Sequence, residues 1–404
     1  MAIWQSCTLQ ATPGPFSVPI YLDNAATSFP KPESVYAAIE RANRKYAVSA
    51  GRGKYQRAND SERVISQTRS AVAQLIGAGD VNEVSFAFSG TDALSTAIFG
   101  YLSPGDHVIA SAADHTSVLR PLWHLERQRQ VKVSIVGCDS SGVVDPREIE
   151  SAIKSNTKLV CLTHASNVTG ALEPVVGIGN LCKSKDVAFL LDAAQTLGHV
   201  PIDVQKIRCD FLAAPGHKGL LGPLGTGLLY ASSNVAADCW PLRFGGTGST
   251  GSEIDQPTKC PQKFESGNLN VPGIAGLLEG LKWLESDERI ERESKLKSNS
   301  QRLADRLKNI KGIVIYGNEL AQTPTISFNI EGVDCQTAGM LLDSQFQIEC
   351  RTGLHCAPLI HEKIGSTSYG GTVRFSPGMF TTEAEIDQAI AAVEKVVSEM
   401  ETTQ

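Results

Sequence analysis

Short apolar runs alternate with helical spacing over most of this chain. Residues 84–88, 107–111, 131–136, 159–163, 187–191, 210–214 and 227–230 are mostly apolar without strict alternation, as in strands buried on both faces. Helical spacing lies between them, for example at Leu94, Ala97, Ile98 and Tyr101. Seven such runs separated by helices predict a large, mostly parallel sheet covered on both sides, an α/β fold.

Upstream, Val35, Ala38, Ile39, Ala42 and Tyr46 keep helical spacing after Pro32, and a second helical pattern covers 62–76. Downstream, Ile274, Leu277, Leu278, Leu281 and Leu284 describe a helix over 272–286. Charged residues then dominate 285–311, which suits a long, partly exposed helix. Beyond it, 324–330 and 371–375 read as strands, and 334–344 and 383–397 as helices. Thr382 and Glu385 are spaced as a capping box for the last helix. The expected organisation is a loose lead-in (1–19), a large α/β domain (20–285) and a small C-terminal α+β domain (286–404).

Composition narrows the function classes. The 404 residues are 42% hydrophobic and 20% charged with a net charge of −6, which is ordinary for a globular chain. No basic run suggests a nucleic-acid groove or an anionic membrane surface, and no segment reaches the length of a membrane span. Ten cysteines without a CxxC spacing, several in apolar runs, suit a reducing, cytoplasmic compartment and reveal no metal site. The N-terminus lacks the basic and apolar regions of a signal peptide.

In a parallel sheet, ligands sit beyond the carboxyl ends of the strands, and five strand ends carry candidate chemistry. Ser89, Gly90, Thr91 and Asp92 open a helix whose N-terminus suits either a phosphate or an ordinary cap. His115 follows the next strand, and Asn167 stands in a turn before Gly170. Asp192 follows an apolar strand; burying it requires a cationic partner, either within the protein or on a bound molecule. Lys218 stands between His217 and a loop carrying Gly219, Gly222, Gly225 and Gly227, where backbone can approach a ligand closely. A protonated pyridine would be Asp192's cation, and a lysine joined to the same ring as a Schiff base is the other half of pyridoxal 5'-phosphate (PLP) chemistry. Near the C-terminus, Arg351 and His355 flank Cys356, where cationic or proton-accepting neighbours favour a thiolate nucleophile. The same cysteine also reads as a buried one beside an incidental histidine, while packing accounts for Cys350.

The stretches IYLDNAAT, SGTDAL, ADHTSVLRPL, HASNVTG, LLDAAQTLGHVPIDV, APGHKGLLGPLGTG, RTGLHCAP and GTVRFSPGMF, in this order over about residues 20–395, resemble the class V aminotransferase-fold cysteine desulfurases. The nearest branch is the SufS-like, type II group, which includes selenocysteine lyases. That resemblance implies fold type I of the PLP-dependent transferases and conversion of L-cysteine to L-alanine, with sulfur carried as a persulfide on Cys356. It implies that Lys218 binds PLP covalently, Asp192 keeps the ring nitrogen protonated and Gln195 bonds the ring hydroxyl. His115 would stack on the ring and move protons. Gly90, Thr91 and His217 would hold the phosphate, with Asn268 reaching the phosphate of a partner subunit. Asn167, Arg374 and Arg351 would grip the substrate. A homodimer joined through 245–268, a sulfur-acceptor protein or thiol, and a role in iron–sulfur cluster assembly complete the picture.

Three positions depart from the family pattern: Tyr55 after Arg52-Gly53-Lys54 in place of a histidine, Pro215 in place of a serine, and Asn268 in place of a threonine. They leave room for another PLP-dependent reaction, such as selenocysteine cleavage, desulfination or epimerisation. A relic without catalysis is the remaining reading, against which the presence of Lys218 and Asp192 argues.

Overall fold

The computed structural model describes residues 19–51, 53–247, 254–317 and 323–403. The lead-in up to residue 18, Arg52, and residues 248–253 of the expected dimer segment lie outside the described residues.

A seven-stranded sheet forms the centre of the fold, in the order Val84–Ala87, Gly227–Ala231, Phe211–Pro215, Ala188–Asp192, Thr157–Thr163, His107–Ser111 and Lys132–Val136. Gly227–Ala231 runs antiparallel to both its neighbours, and the remaining pairs are parallel. The apolar runs arise because both faces are covered. Leu162, Leu191 and Leu212 enter one core, while Cys161, Leu190 and Phe211 enter the other. The carboxyl ends of three adjacent parallel strands, Thr163, Asp192 and Pro215, therefore open side by side.

A second, antiparallel sheet has the order Arg351–Gly353, Thr372–Phe375, Ile326–Ile330 and Ile313–Tyr316. Helices Asp287–Lys308, Cys335–Phe346 and Glu383–Thr403 bury their apolar faces against it. Cys350 packs against the same core, and burial pushes its thiol up to about 12, so packing does account for it. The described chain begins in this unit: Ile20–Tyr21 pairs in parallel with Ile348–Glu349, and Ile20 and Leu22 join the C-terminal core.

Several bounds differ from the sequence reading. The second helix spans Gln56–Ile76 rather than 62–76, because the polar QRAND opening hides Ala58 and Ser61, which face inward. Strands Ile313–Tyr316 and Arg351–Gly353 were not expected, since both are short and the first is only half-buried. The last helix continues past 397 to Thr403. Its capping box forms as spaced: Thr382 N donates to Glu385 Oε2 at 2.7 Å, and Glu385 N donates to Thr382 Oγ1 at 3.2 Å.

Candidate active site

At the open sheet ends lies a cavity of about 510 Å³ lined by Gly90, Thr91, His115, Asn167, Asp192, Gln195, Pro215, His217 and Lys218, among others. Eight candidate residues from five separate strand ends thus meet in one place, and Pro215, one of the departures, lines it with them.

One wall is a helix start. Ser89 caps Gly90–Tyr101, its Oγ accepting from Asp92 N at 3.1 Å, so free N–H groups face the cavity. Gly90 packs tightly here: a Cβ would lie 3.0 Å from Pro215 Cδ. The serine-to-proline departure is thus matched by tight packing on a glycine. His115 caps the neighbouring helix Thr116–Arg129 by accepting from Ser117 N at Nδ1, 3.0 Å away. Ser117 Oγ is 2.9 Å from the same nitrogen and 2.7 Å from Thr91 Oγ1, which joins the two helix starts. Because Nδ1 accepts, the proton of the neutral ring is assigned to Nε2. Burial, followed by the charges of Lys218, Arg120 and Arg374, holds His115 down at about 4, so it is neutral near pH 7.

Asp192 ends its strand and is buried, with Ala194 N donating to Oδ1 at 3.0 Å. Burial pushes its carboxyl up, while that hydrogen bond and the charge of Lys218 pull the other way. Burial lowers Lys218 to about 8, against the opposing pull of Asp192. Gln195 donates from Nε2 to Ala25 O at 3.1 Å. His217 is held by its carbonyl, which accepts from Ser28 N at 3.0 Å, while its buried Nδ1 has no partner.

Arg374, 2% exposed, stands on the C-terminal sheet and is not among the cavity lining, though it bonds to Asn167, which is. It donates from Nη1 to Asn167 O at 3.0 Å and from Nη2 to Asp23 Oδ1 at 2.6 Å, leaving a buried Nε without a partner. Arg351 faces Arg374 across the strand pair and donates to the other Asp23 oxygen at 3.1 Å. Sequence reasoning gave Asp23 and Ser117 no role. The signal for Asp23 was available, a carboxylate directly after a short apolar strand, as at Asp192.

Cys356 is exposed, on a loop tied to the cavity wall: Thr116 N donates to Cys356 O at 2.7 Å, and Asn167 Nδ2 to His355 O at 2.6 Å. His355, expected to favour the thiolate, is bound through its ring to Thr372. Its ring is buried, with Nε2 2.7 Å from Thr372 Oγ1 and 3.0 Å from Thr372 O, and burial drives it down to about 2. Asn268 lies elsewhere in its own chain. It accepts from Ser49 Oγ at 2.9 Å and lines a separate hollow of about 740 Å³ beside Arg69 and Glu265. Tyr55, 53% exposed, precedes helix Gln56–Ile76 and is not among the cavity lining. Among the described residues no cluster of His, Cys, Asp and Glu is arranged for a metal ion, and no helix is long and apolar enough to cross a membrane.

Comparison with known proteins agrees with this geometry. The Aminotransferase class-V family profile matches residues 20–389. A probable cysteine desulfurase of Methanothermobacter thermautotrophicus is 34% identical over 93% of this chain and 94% of its own length. A cysteine desulfurase of Wigglesworthia glossinidia brevipalpis is 30% identical over 93% and 92%. Among solved structures, the apo cysteine desulfurase of Thermococcus onnurineus NA1 superposes with a TM-score of 0.86 at 29% identity, covering 94% of this chain and 95% of that one. The cysteine desulfurase CsdA of Escherichia coli gives 0.84 at 28% identity, with the same coverage. The chain belongs to the class V aminotransferase family, on fold type I of the PLP-dependent enzymes.

The residues present fit PLP. A buried carboxyl with one N–H donor suits a pyridinium, a partnerless buried imidazole and a free helix start suit a phosphate, and a lysine amine near pKa 8 suits an aldehyde.

Proposed function

We propose that this chain is a PLP-dependent cysteine desulfurase that releases L-alanine from L-cysteine and carries the sulfur on Cys356. One observation carries the reading: the loop bearing exposed Cys356 is hydrogen-bonded to Thr116 and Asn167, at the wall of the cavity that holds Lys218 and Asp192.

When bound, PLP supplies an electron sink for the charge that develops at the substrate Cα. Lys218 and Asp192 would hold it, with Gln195 at the ring hydroxyl, His115 at its face, and His217, Thr91 and the helix start of Gly90 at the phosphate. Arg374 and Asn167 would orient the substrate carboxylate, which suits the guanidinium fork. Lys218, with an amine that is neutral for part of the time near pH 7, takes the Cα proton, and neutral His115 exchanges protons beside it. The Cys356 thiolate attacks the substrate sulfur. The S–S bond forms as the Cβ–S bond breaks, and the carbon electron pair takes up a proton to become the alanine methyl. The persulfide then passes its outer sulfur to a thiol of an acceptor. A homodimer, in which Asn268 faces the partner's site, belongs to the same reading.

The test is product stoichiometry. PLP-loaded protein given L-cysteine and a thiol reductant should release alanine and sulfide in equal amounts, at a higher kcat/KM than with cysteine sulfinate. Turnover of selenocysteine or sulfinate without alanine from cysteine would reassign the reaction.

A further inference from the structure

The backbone around Cys356 is unusual. Cys356 is exposed, yet His355 before it is 6% exposed and Ala357 after it is fully buried. The chain achieves this reversal with two consecutive non-glycine residues in left-handed conformation, His355 at φ 48° and Cys356 at φ 59°. Such a conformation persists only where surrounding contacts over-determine it. Glycine would relieve the strain, but a nucleophile requires a side chain.

Those contacts are visible. On one side, His355 O accepts from Asn167 Nδ2 at 2.6 Å and Cys356 O from Thr116 N at 2.7 Å. Below, the His355 ring reaches Thr372, on the strand that carries Arg374. On the far side, Ala357 and Ile360 sink into a small cluster with Ala113, Val168 and Tyr316. His361, 6.0 Å from the His355 ring and 1% exposed, is fixed to Ser366 Oγ at 2.7 Å. At the loop base the two backbones run so close that a Cβ on Gly371 would lie 2.3 Å from the Gly353 carbonyl. Each ring nitrogen of His355 is turned into protein: Nε2 to Thr372, and Nδ1 to a buried position without a partner.

We infer that His355 is a positioning residue. Its hydrogen bonds to Thr372 lock the left-handed loop that presents Cys356 to the substrate, and it takes no part in ionising the thiol. The inference rests on Cys356 as nucleophile, and it deepens the desulfurase reading by separating aim from activation. The charged and titratable groups acting on His355 are Arg374, His361 and Arg351, and a substitution of His355 alone removes none of them.

The experiment uses PLP-loaded wild type, His355→Leu, which keeps volume and loses the donor, and His355→Gln, which keeps an N–H within reach of Thr372. Alanine formation gives kcat and KM; iodoacetamide alkylation of Cys356, mapped on its peptide, gives a rate constant and a pH midpoint. His355→Leu should lower kcat about ten- to a hundredfold, the range a misplaced group produces, with KM and PLP absorbance unchanged. His355→Gln should recover most of that loss, and the alkylation midpoint should be the same in all three. A midpoint that rises in His355→Leu, or a kcat within twofold of wild type, overturns the proposal. Should His355→Leu fail to fold, Thr372→Val removes the nearer acceptor, and a several-fold lower kcat supports the lock while an unchanged kcat overturns it. Should wild type form no alanine, the desulfurase reading fails separately. Alkylation then decides: an altered rate constant at constant midpoint supports the lock, and no change in either sinks it.

Discussion

Asp23 governs two arginines. Arg351 and Arg374 face each other in register on antiparallel strands, an arrangement that repels when both are charged. The single carboxylate of Asp23 accepts from both. Asp23→Ala leaves Arg374 buried without its counter-charge, and unfolding in denaturant should show a loss of about 3 kcal/mol. A loss below about 1 kcal/mol would mean that water or Asn167 compensates. Lys218 offers a second check. Burial and the two arginines lower its pKa, and the charges of Asp192 and Asp23 raise it, for a value of about 8. The neutral amine that captures an aldehyde therefore accumulates as pH rises through 8. PLP uptake by apo protein, followed by absorbance, should accelerate over that range. Asp192→Asn removes a charge that raises the pKa, so the midpoint should move down. A midpoint that stays or rises would show that Asp192 does not act on the amine.

At the scale of elements, two helix starts and three strand ends build the site. Their existence was legible because an apolar strand buried on both faces leaves an unmistakable run, and because Asp192, Lys218 and His115 each follow one. Less legible were contacts between distant segments. Nothing local tells that Ile20–Tyr21 pairs with Ile348–Glu349, since two residues carry no period. Nor does local pattern reveal the His355 ring bonded to Thr372, because loop dihedrals are set by tertiary contacts. Helix Gln56–Ile76 began early for a similar reason: its first turns bury Ala58 and Ser61 under a polar spelling. Local chemistry was read correctly at Thr382, where the capping box forms. Thr382→Ala should cost about 1 kcal/mol in stability and leave alanine production unchanged. A stability equal to wild type would show that the packing of helix Glu383–Thr403 alone fixes its start.

For the whole molecule, the candidate site lies on a seam between the two sheets. The large sheet supplies the cavity, the small sheet supplies Arg374 and Cys356's loop, and Asp23, Asn167 and Thr116 bridge them. Buried titratable groups give the molecule a pH signature. Seven of the eight histidines, His107, His115, His164, His199, His217, His355 and His361, are pushed down by burial. Each binds its proton less readily when folded than when unfolded, so each costs stability as pH falls through about 6.5. Burial pushes up the carboxyls of Asp114, Glu173, Asp192 and Asp210, which act in the opposite sense over that range but are fewer. The melting temperature of PLP-free protein should therefore fall between pH 7 and pH 5, and a flat or rising profile would contradict this balance.

The role of Cys356 is tested by comparing PLP-loaded wild type and Cys356→Ala given L-cysteine, with alanine quantified and intact protein weighed by mass spectrometry. Wild type should form alanine and gain one sulfur atom on the Cys356 peptide when no reductant is added. Cys356→Ala should keep its PLP absorbance, gain no sulfur and form no alanine. Alanine formed by Cys356→Ala at the wild-type rate, or sulfur found on another cysteine, would contradict the assignment of Cys356 as the nucleophile.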